Sequence, residues 1–400
     1  MTDAFIYDAI RTPRGEGKSS GALYEVKPIE MLSTTLEALR QRNELPTEEV
    51  DDVIIGCVTP INGQGFNIAK AGLLLAQWNE RVSGMQINRY CASGLEAVNI
   101  AATKIRSGWE NLIVAGGVES MSRVPIGSDG GPLIFDPAVI NAVQYIPQGV
   151  SADLLASIEG FDRDAVDNYA LQSHQRAAKA WTQGYFKKSI IPIYDKNGLL
   201  ILDQDEHIRE SSLESLSQLA PSFAKTGKEG FTAMALHKYP EVERIQYVHT
   251  AGNTSGNVDG AALILVGNTR TGKKLGLKKR AKIRSIANVS VEPTLMLTGA
   301  IPATERALRR AKMQVKDIDL WECNEGFAAV PLKFQKAFDL SSDILNVNGG
   351  TIAMGSPLGA TGAMLLNTLL DEMERRDLET GLVTLCVGGG MGVATIIERV

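Results

Sequence analysis

The sequence predicts an α/β protein built from two similar halves, with a long insertion in the first half. Apolar stretches without polar alternation, such as DDVIIGCV and NLIVAGG, are typical of strands covered on both faces of a sheet. Similar segments also recur in the same order about 268 positions apart. A chain of 400 residues is long enough for two or three domains of this kind.

The repeat is visible in two pairs of segments. Residues 37–53, EALRQRNELPTEEVDDV, resemble residues 306–320, RALRRAKMQVKDIDL, since both pass from a basic helix end through acidic residues to an apolar strand. Gly94 lies at the start of a predicted helix that precedes the strand NLIVAGG, and Gly362 lies at the start of one that precedes LVTLCVGGG. Two matches in order at one spacing favour a duplicated domain.

The insertion has no counterpart in the second half. It contains a predicted helix from Asp164 to Gly184 and Gly/Pro-rich stretches such as GSDGGP. We expect it to form a lid or loop domain over a site. The predicted divisions are an N-terminal half at 1–121, an inserted loop domain at 122–247, a return to the N-terminal half at 248–275 and a C-terminal half at 276–400.

Composition and charge exclude several function classes. The net charge of −5 gives no electrostatic reason to expect a nucleic acid or an anionic membrane as partner. No apolar run reaches the roughly 18 residues of a membrane helix, and the N-terminal MTDAFIYDAIRTP does not resemble a signal peptide, so we expect a cytoplasmic protein. The basic stretch LGLKKRAKIR, near 275–284, is predicted to be a solvated surface leading into the second half.

The four cysteines are Cys57, Cys91, Cys323 and Cys386, with no CxxC and no clustered histidines, so no metal site is expected. Cys91 lies in NRYCASG directly before a predicted amphipathic helix. The amides and the positive dipole end of that helix would favour a thiolate. Cys91 is therefore a candidate nucleophile, and the alternative is a buried cysteine in a tight turn.

Two further polar positions stand in apolar or glycine-rich surroundings. Cys386 precedes the glycines of TLCVGGGMG, which let the backbone approach a ligand. The pattern is not a dinucleotide loop, because VATIIERV predicts a closing strand where that motif needs a helix. Asn324, in WECNEGFAAV, is either a helix cap or an amide aimed at a substrate oxygen or a water.

Together these pieces resemble the thiolase family, the acyl-CoA acyltransferases that make or cleave 3-ketoacyl-CoA. The resemblance covers essentially the whole chain and implies two βαβαβαββ halves in five layers, α-β-α-β-α, with a loop domain inserted in the first. Within the family, YIPQGVSADLLASIEGF looks more like bacterial degradative members than biosynthetic ones. The matching motifs, in family order, are NRYCASG, GGVESMS (116–122), AGNTSGNVDGAA (251–262), NEGFA (324–328), NGGTIAMGSPLGATG (348–362) and CVGGGMG (386–392).

The resemblance implies a role for each matching position. Cys91 corresponds to the nucleophile that accepts the acyl group, and Cys386 to the second cysteine, which moves the proton at the α-carbon of acetyl-CoA. Asn324 corresponds to the residue that holds a water in one oxyanion hole, and the backbone amides of Cys91 and Gly388 to the other hole. The residues expected to contact the pantetheine of CoA or to line its tunnel are Ser255, Gly149, Phe327 and Ala251.

The chain departs from the family at Ser356. The family pattern reads GHP where this chain has Gly355, Ser356 and Pro357. Serine can donate a hydrogen bond but cannot act as a base near pH 7. An engineered substitution and a natural divergence both explain the difference, and the intact remaining motifs favour the first. Gly326, where alanine is common, is a milder departure.

The sequence raises three possible functions. The resemblance implies thiolytic cleavage of 3-ketoacyl-CoA by CoA, or the reverse condensation, through an acyl-cysteine and without metal or redox cofactor, in a chain impaired by Ser356. The alternative is a weak or inactive homologue that binds acyl-CoA. A decarboxylating ketoacyl synthase is disfavoured by Cys386. The resemblance further implies a homodimer or homotetramer and a partner enzyme of β-oxidation.

Overall fold

A mixed β-sheet dominates the computed structural model, which describes residues 2–400. Its ten strands follow the order β10-β11-β12-β9-β1-β8-β5-β3-β4, with β2 paired to β8, and a separate hairpin consists of β6 and β7. The strands of the described chain are β1 (Phe5–Arg11), β2 (Gly15–Glu16), β3 (Asp52–Gly56), β4 (Ser83–Ile87), β5 (Leu112–Ser120), β6 (Ile193–Tyr194), β7 (Leu200–Leu202), β8 (Val258–Gly267), β9 (Ala281–Ser290), β10 (Leu320–Cys323), β11 (Thr380–Val387) and β12 (Met391–Arg399).

The helices alternate with the strands, as the sequence predicts. They are α1 (Pro28–Arg42), α2 (Ile68–Leu75), α3 (Ser93–Ser107), α4 (Pro132–Phe135), α5 (Pro137–Val143), α6 (Gln148–Glu159), α7 (Arg163–Thr182), α8 (Leu213–Ser217), α9 (Ala224–Thr226), α10 (Thr232–Lys238), α11 (Thr269–Lys274), α12 (Ala300–Ala311), α13 (Ala329–Phe338), α14 (Thr351–Met354) and α15 (Leu358–Arg376).

The two halves have the same strand pattern, which confirms the duplication. β3 begins at Asp52 and β10 at Leu320, and β5 begins at Leu112 and β11 at Thr380, so both pairs keep the predicted spacing. β3 is parallel to β5 and β10 is parallel to β11, while β8 and β12 run antiparallel beside them. Antiparallel pairing of β1 with β9 joins the two halves into one sheet.

Helices α3 and α15, which occupy equivalent places in the two halves, form the central layer. Alternate strand residues such as Ile54 and Val383 pack into the core around these helices. Their neighbours point the other way: Ile55 packs with α1 and α2, and Leu382 packs with α12 and α13. The strands thus lie between a shared inner helix layer and outer helices, which gives the predicted α-β-α-β-α layering.

The central helices approach the strands closely because glycine stands at the contact. A Cβ at Gly117 on β5 would lie 1.9 Å from the carbonyl oxygen of Gly359, in the first turn of α15. A Cβ at Gly94 on α3 would lie 2.8 Å from the same oxygen. Side chains at either position would therefore force α15 away from the first half. This packing brings the N-terminal ends of α3 and α15 to one place.

The segment between β5 and β8 contains α4 to α10 and the β6–β7 hairpin. The helix predicted from Asp164 to Gly184 is α7, which begins one residue earlier and ends two residues earlier. The buried carboxylate of Asp205 fixes this segment to the first strand: it accepts from the guanidinium of Arg11 at 2.7 Å and from that of Arg14 at 2.9 Å.

The expectation of a solvated basic surface near 275–284 is wrong for Arg280, while Lys278 and Arg284 are exposed. Ala281 begins β9, and the Arg280 side chain is only 6 % exposed. Its guanidinium pairs with Asp371 at 2.6 Å and Glu374 at 2.8 Å, both on α15. The acidic partners are distant in sequence, so a local charge count did not reveal them. Within residues 2–400, every helix is too short or too polar to cross a bilayer.

Candidate active site

Cys91 lies in a strained turn directly before α3. Tyr90 has a φ of 45°, a left-handed conformation that is uncommon for a bulky residue. The Ser93 hydroxyl stabilises this turn, since it donates to the Tyr90 carbonyl at 2.6 Å and accepts from the Arg89 amide at 2.8 Å. The Asn88 side chain accepts from the Tyr90 amide at 2.8 Å. The turn thereby presents a half-buried Cys91 at the start of the central helix.

Two backbone amides and one carboxylate act on the Cys91 thiol. Its pKa is raised to about 11, chiefly by burial and also by the carboxylate of Glu119. Hydrogen bonding to the amides of Cys91 itself and of Gly388 lowers the pKa but does not offset burial. The predicted pair of amides therefore acts on this sulfur in the direction that favours a thiolate, but burial outweighs it.

Gly388 lies in the tight turn between β11 and β12. Gly389 and Gly390 follow it with φ values of 72° and 83°, which favour glycine. A Cβ at Gly390 would lie 2.6 Å from the Val291 carbonyl oxygen. The glycine run is therefore a hairpin turn that directs an amide toward Cys91, and the predicted closing strand is β12.

Cys386 and Asn324 lie near the ends of the neighbouring strands β11 and β10. Burial raises the pKa of Cys386 to about 12, and the next contribution comes from Cys91, so the two thiols are close enough to interact. The Asn324 amide donates to the Thr384 carbonyl at 3.0 Å, and its side-chain oxygen accepts from Thr351 at 3.1 Å. Its side-chain nitrogen has no partner among residues 2–400, so it is free to bind a ligand or a water.

Ser356 is buried between the two halves of the chain. Its amide donates to the Gly256 carbonyl at 2.9 Å, and its hydroxyl forms a 2.7 Å hydrogen bond with the Thr361 hydroxyl on α15. Gly355 precedes it with a φ of 83°. The hydroxyl is thus engaged in a local hydrogen bond and does not supply a base.

The histidines of the described chain contact groups other than Cys91, or lie on elements that do not carry the candidate catalytic residues. His249 bonds to the buried Asp153 at 2.8 Å and accepts from the Ala329 amide. His174 contacts the Gly252 carbonyl at 3.2 Å. His207 faces the Arg209 guanidinium at 3.1 Å, and His237 lies on α10.

The four positions assigned to CoA lie together, but not in the cavity beside Cys91. Ser255 donates its amide to the Gly326 carbonyl at 3.1 Å, which fixes the 251–257 segment to the NEGFA motif. Phe327 packs edge-on against Phe223 at 5.8 Å, and a Cβ at Gly149 would lie 2.1 Å from that same ring. The Ala251 carbonyl accepts from Arg209 at 3.0 Å.

A cavity of about 300 Å³ opens beside Cys91 and has mainly apolar walls. Gly388 and Tyr145 also line it. The described residues that line it include Val58, Tyr90, Ile126, Pro132, Leu133, Ile134, Gln148 and Leu358. Of the nine residues predicted for catalysis or CoA binding, only Cys91 and Gly388 line this cavity.

Two buried carboxylates that sequence reasoning did not single out support the site. Glu119 accepts from the amides of Val58 at 2.8 Å and Gly359 at 2.9 Å, so it links the two halves beneath Cys91. Glu325 accepts from Tyr169 and Ser173 on α7 at 2.9 and 2.7 Å. Each acidic residue stands in an apolar or glycine-rich stretch of the sequence, a signal from which a buried, hydrogen-bonded carboxylate could have been predicted.

A duplicated α/β fold with two interacting thiols and a converging pair of amides defines a class of protein suited to acyl transfer through a cysteine thioester. The family models named "Thiolase, N-terminal domain" and "Thiolase, C-terminal domain" match residues 4–270 and 277–399. The chain belongs to the thiolase family.

Full-length relatives and a solved structure agree with this assignment. The chain is 39% identical over 410 residues to the 3-ketoacyl-CoA thiolase of Serratia proteamaculans and 39% identical over 410 residues to that of Cronobacter sakazakii, with 100% of each chain covered. The crystal structure of the Bacillus anthracis acetyl-CoA acetyltransferase superposes with a TM-score of 0.86 at 33% identity, covering 100% of this chain and 99% of that one.

Proposed function

We propose that this protein is an acyl-CoA C-acyltransferase that cleaves 3-ketoacyl-CoA with CoA, or runs the reverse condensation, through an acyl-Cys91 intermediate. One observation supports this most directly: the Cys91 sulfur lies against the amide of Gly388 and close to the Cys386 thiol. A nucleophile, a proton donor and two oxyanion donors thus share one site.

The proposed cleavage proceeds in two steps. The Cys91 thiol loses its proton to solvent, and the thiolate attacks the 3-keto carbon, whose oxygen takes up negative charge facing the amides of Cys91 and Gly388. The C2–C3 bond then breaks, and its electron pair forms the enolate of acetyl-CoA. Cys386 protonates C2 of that enolate, which releases acetyl-CoA and leaves acyl-Cys91 and a Cys386 thiolate. That thiolate takes the proton from the thiol of CoA, the CoA sulfur attacks the thioester, and Cys91 leaves as a thiolate that solvent reprotonates while the acyl group departs on CoA.

CoA and acyl-CoA are substrates in this scheme, and no metal or redox cofactor is needed. The carbanion at C2 is stabilised by delocalisation onto the thioester oxygen. We propose that this thioester oxygen lies on the side of the site formed by Asn324, where the unpaired side-chain nitrogen of Asn324 can hold a water. Ser255, Ala251, Phe327 and Gly149 are proposed to hold the pantetheine arm.

A weakly active acyl-CoA-binding protein is the second candidate. Ser356 supplies no base, and a thiol with a pKa of about 11 is almost wholly protonated at pH 7. Both facts favour slow turnover with binding retained.

Mass spectrometry after incubation with acetoacetyl-CoA tests the proposal. An added acyl mass on Cys91 supports the transferase, and a steady-state thiolysis assay then measures turnover. CoA binding with neither acyl mass nor turnover would establish the second candidate.

We further propose that the protein acts in the cytoplasm as a homodimer or homotetramer and that its partner is a β-oxidation enzyme. The four cysteines are free thiols, which suits a reducing compartment. β4 lies at the end of the sheet order and offers an edge for pairing with a second copy.

A further inference from the structure

The cavity beside Cys91 contains a side-chain amide that the proposed mechanism does not use. Gln148 is the first residue of α6 and is half-buried in the cavity wall. Asn88, the other carboxamide in that wall, donates to the Val58 carbonyl at 2.9 Å and accepts from the Tyr90 amide. Gln148 makes no hydrogen bond through its side chain with any part of residues 2–400. It is therefore the carboxamide of the cavity that remains available to a ligand.

The end of the Gln148 side chain lies against the oxyanion-binding turn. A Cβ at Gly388 would lie 3.1 Å from Nε2 of Gln148 and 3.6 Å from the Tyr90 ring. The amide of that same glycine faces the Cys91 sulfur. The carboxamide thus lies beside the turn whose backbone amide faces the nucleophile.

The rest of the wall is mainly apolar, with Thr59, Asp129 and Tyr145 as further polar members. Ile126, Leu133, Ile134 and Leu358 are apolar and can contact only the hydrocarbon part of an acyl chain. Because Gln148 is only half-buried, its carboxamide is open to water in the free protein and can exchange that water for an acceptor on a ligand. The carbonyl oxygen next to the sulfur is the acceptor that every acyl group brings to this place.

We propose that Gln148 is a third hydrogen-bond donor to the carbonyl oxygen of the acyl group on Cys91, acting beside the amides of Cys91 and Gly388. The inference rests on the proposed function, because it requires an acyl group on that cysteine. No proton leaves the carboxamide. Its hydrogen bond strengthens as negative charge develops on the oxygen, so it accelerates formation and breakdown of the thioester.

The test compares Gln148→Met, which keeps the length and removes the donor, with Gln175→Met on the exposed face of α7. The rate of Cys91 acylation by acetoacetyl-CoA, followed by intact-protein mass, should fall about tenfold to a hundredfold in Gln148→Met. Gln175→Met should match the parent protein. Alkylation of Cys91 by iodoacetamide should remain within about twofold in both variants, since the thiol itself is untouched.

An infrared difference spectrum of the acyl-enzyme, prepared with a ¹³C-labelled carbonyl, distinguishes a hydrogen bond from a packing effect. Loss of the donor should shift the thioester carbonyl stretch to higher wavenumber in Gln148→Met. Acylation within twofold of the parent, together with an unmoved stretch, would overturn the inference and leave the proposed function intact. A parent protein that never gains an acyl mass would overturn both.

Discussion

Among the single residues, Cys91 is the one whose protonation state limits the chemistry. Burial and the carboxylate of Glu119 destabilise its thiolate, while two backbone amides stabilise it. Burial dominates because the thiol sits in an apolar cavity, so only about one thiol in ten thousand is ionised at pH 7.

Cys91 should therefore react faster as the pH rises. A thiol whose pKa lies near 11 gains thiolate about tenfold per pH unit below that value, and the thiolate is the nucleophile. Iodoacetamide labelling of Cys91, followed by mass spectrometry between pH 7 and pH 10, should show that slope. Cys91→Ala should lose both this labelling and acylation by acyl-CoA. Acylation that persists in Cys91→Ala and disappears in Cys386→Ala would reverse the assignment.

Ser356→His should raise the thiolysis rate about a thousandfold. An imidazole there would supply a general base and an oxyanion donor, whose separate effects of about 10²–10⁴ and 10²–10³ do not multiply fully. CoA affinity should be unchanged, since the 251–257 segment keeps its bond to the NEGFA motif. The measurement is steady-state cleavage of acetoacetyl-CoA and of a longer 3-ketoacyl-CoA. If the serine form already turns over at about 10 s⁻¹ and histidine adds less than about threefold, another group activates Cys91.

Cys386→Ser should abolish exchange of the acetyl-CoA methyl protons with deuterated water. A hydroxyl of similar size is a far weaker acid than a thiol, so it cannot move the α-carbon proton. NMR of acetyl-CoA incubated with the parent protein and with the variant measures the exchange. Unchanged exchange in Cys386→Ser would rule out the proposed role.

The sequence identified Cys91, Cys386 and Asn324 because each interrupts an apolar or glycine-rich stretch at the end of a strand or the start of a helix. It could not give the pKa values, which depend on burial by the inserted segment and by the opposite half. Gln148 had no local signal, because its importance comes from lying against Gly388, 240 positions away along the chain.

Among the elements, the β11–β12 turn controls the direction of the Gly388 amide. Gly390→Ala should destabilise the protein by about 1–3 kcal/mol and slow acylation of Cys91. Its φ of 83° disfavours a side chain, and the new Cβ would meet the Val291 carbonyl at 2.6 Å. Urea unfolding measures the stability. Gly198→Ala separates the effect of the positive φ from that of the Val291 contact, because Gly198 has a φ of 82° and nothing lies within 4 Å of an added Cβ. An equal loss of stability in that variant would show that the Val291 contact contributes nothing.

The elements themselves were the most predictable level. Continuous apolar strands and the two predicted helices were sufficient to predict α3, α15 and the flanking strands, because both halves repeat the same pattern. The predicted start at Gly94 lies one residue after the start of α3, but α15 begins at Leu358, four residues before the predicted start at Gly362. Arg280 shows where this fails. Its partners Asp371 and Glu374 lie on α15, and no local window contains both sides of that ion pair.

On the scale of the whole molecule, a buried ion cluster helps to hold the inserted segment to the first half. Burial alone would raise the pKa of Asp205, but the guanidinium groups of Arg11 and Arg14 outweigh burial and hold it below its ordinary value. The carboxylate is therefore ionised at pH 7, and it stabilises the folded chain at every pH above its unfolded pKa of about 3.9. That stabilisation is lost as the pH falls through the lower folded value.

Asp205→Asn should accordingly reduce the free energy of unfolding by about 3–5 kcal/mol at pH 7, because two buried guanidinium groups lose their counter-charge. The difference from the parent should shrink as the pH falls below about 3.9, where the parent carboxylate also becomes neutral. Urea unfolding at pH 7 and at decreasing pH measures both effects. Asp203→Asn is the matched control, since that residue is exposed two positions away and should change stability by less than about 0.5 kcal/mol. Equal, small effects of both substitutions would show that the ion cluster does not hold the inserted segment, and that its apolar packing on the second half is sufficient.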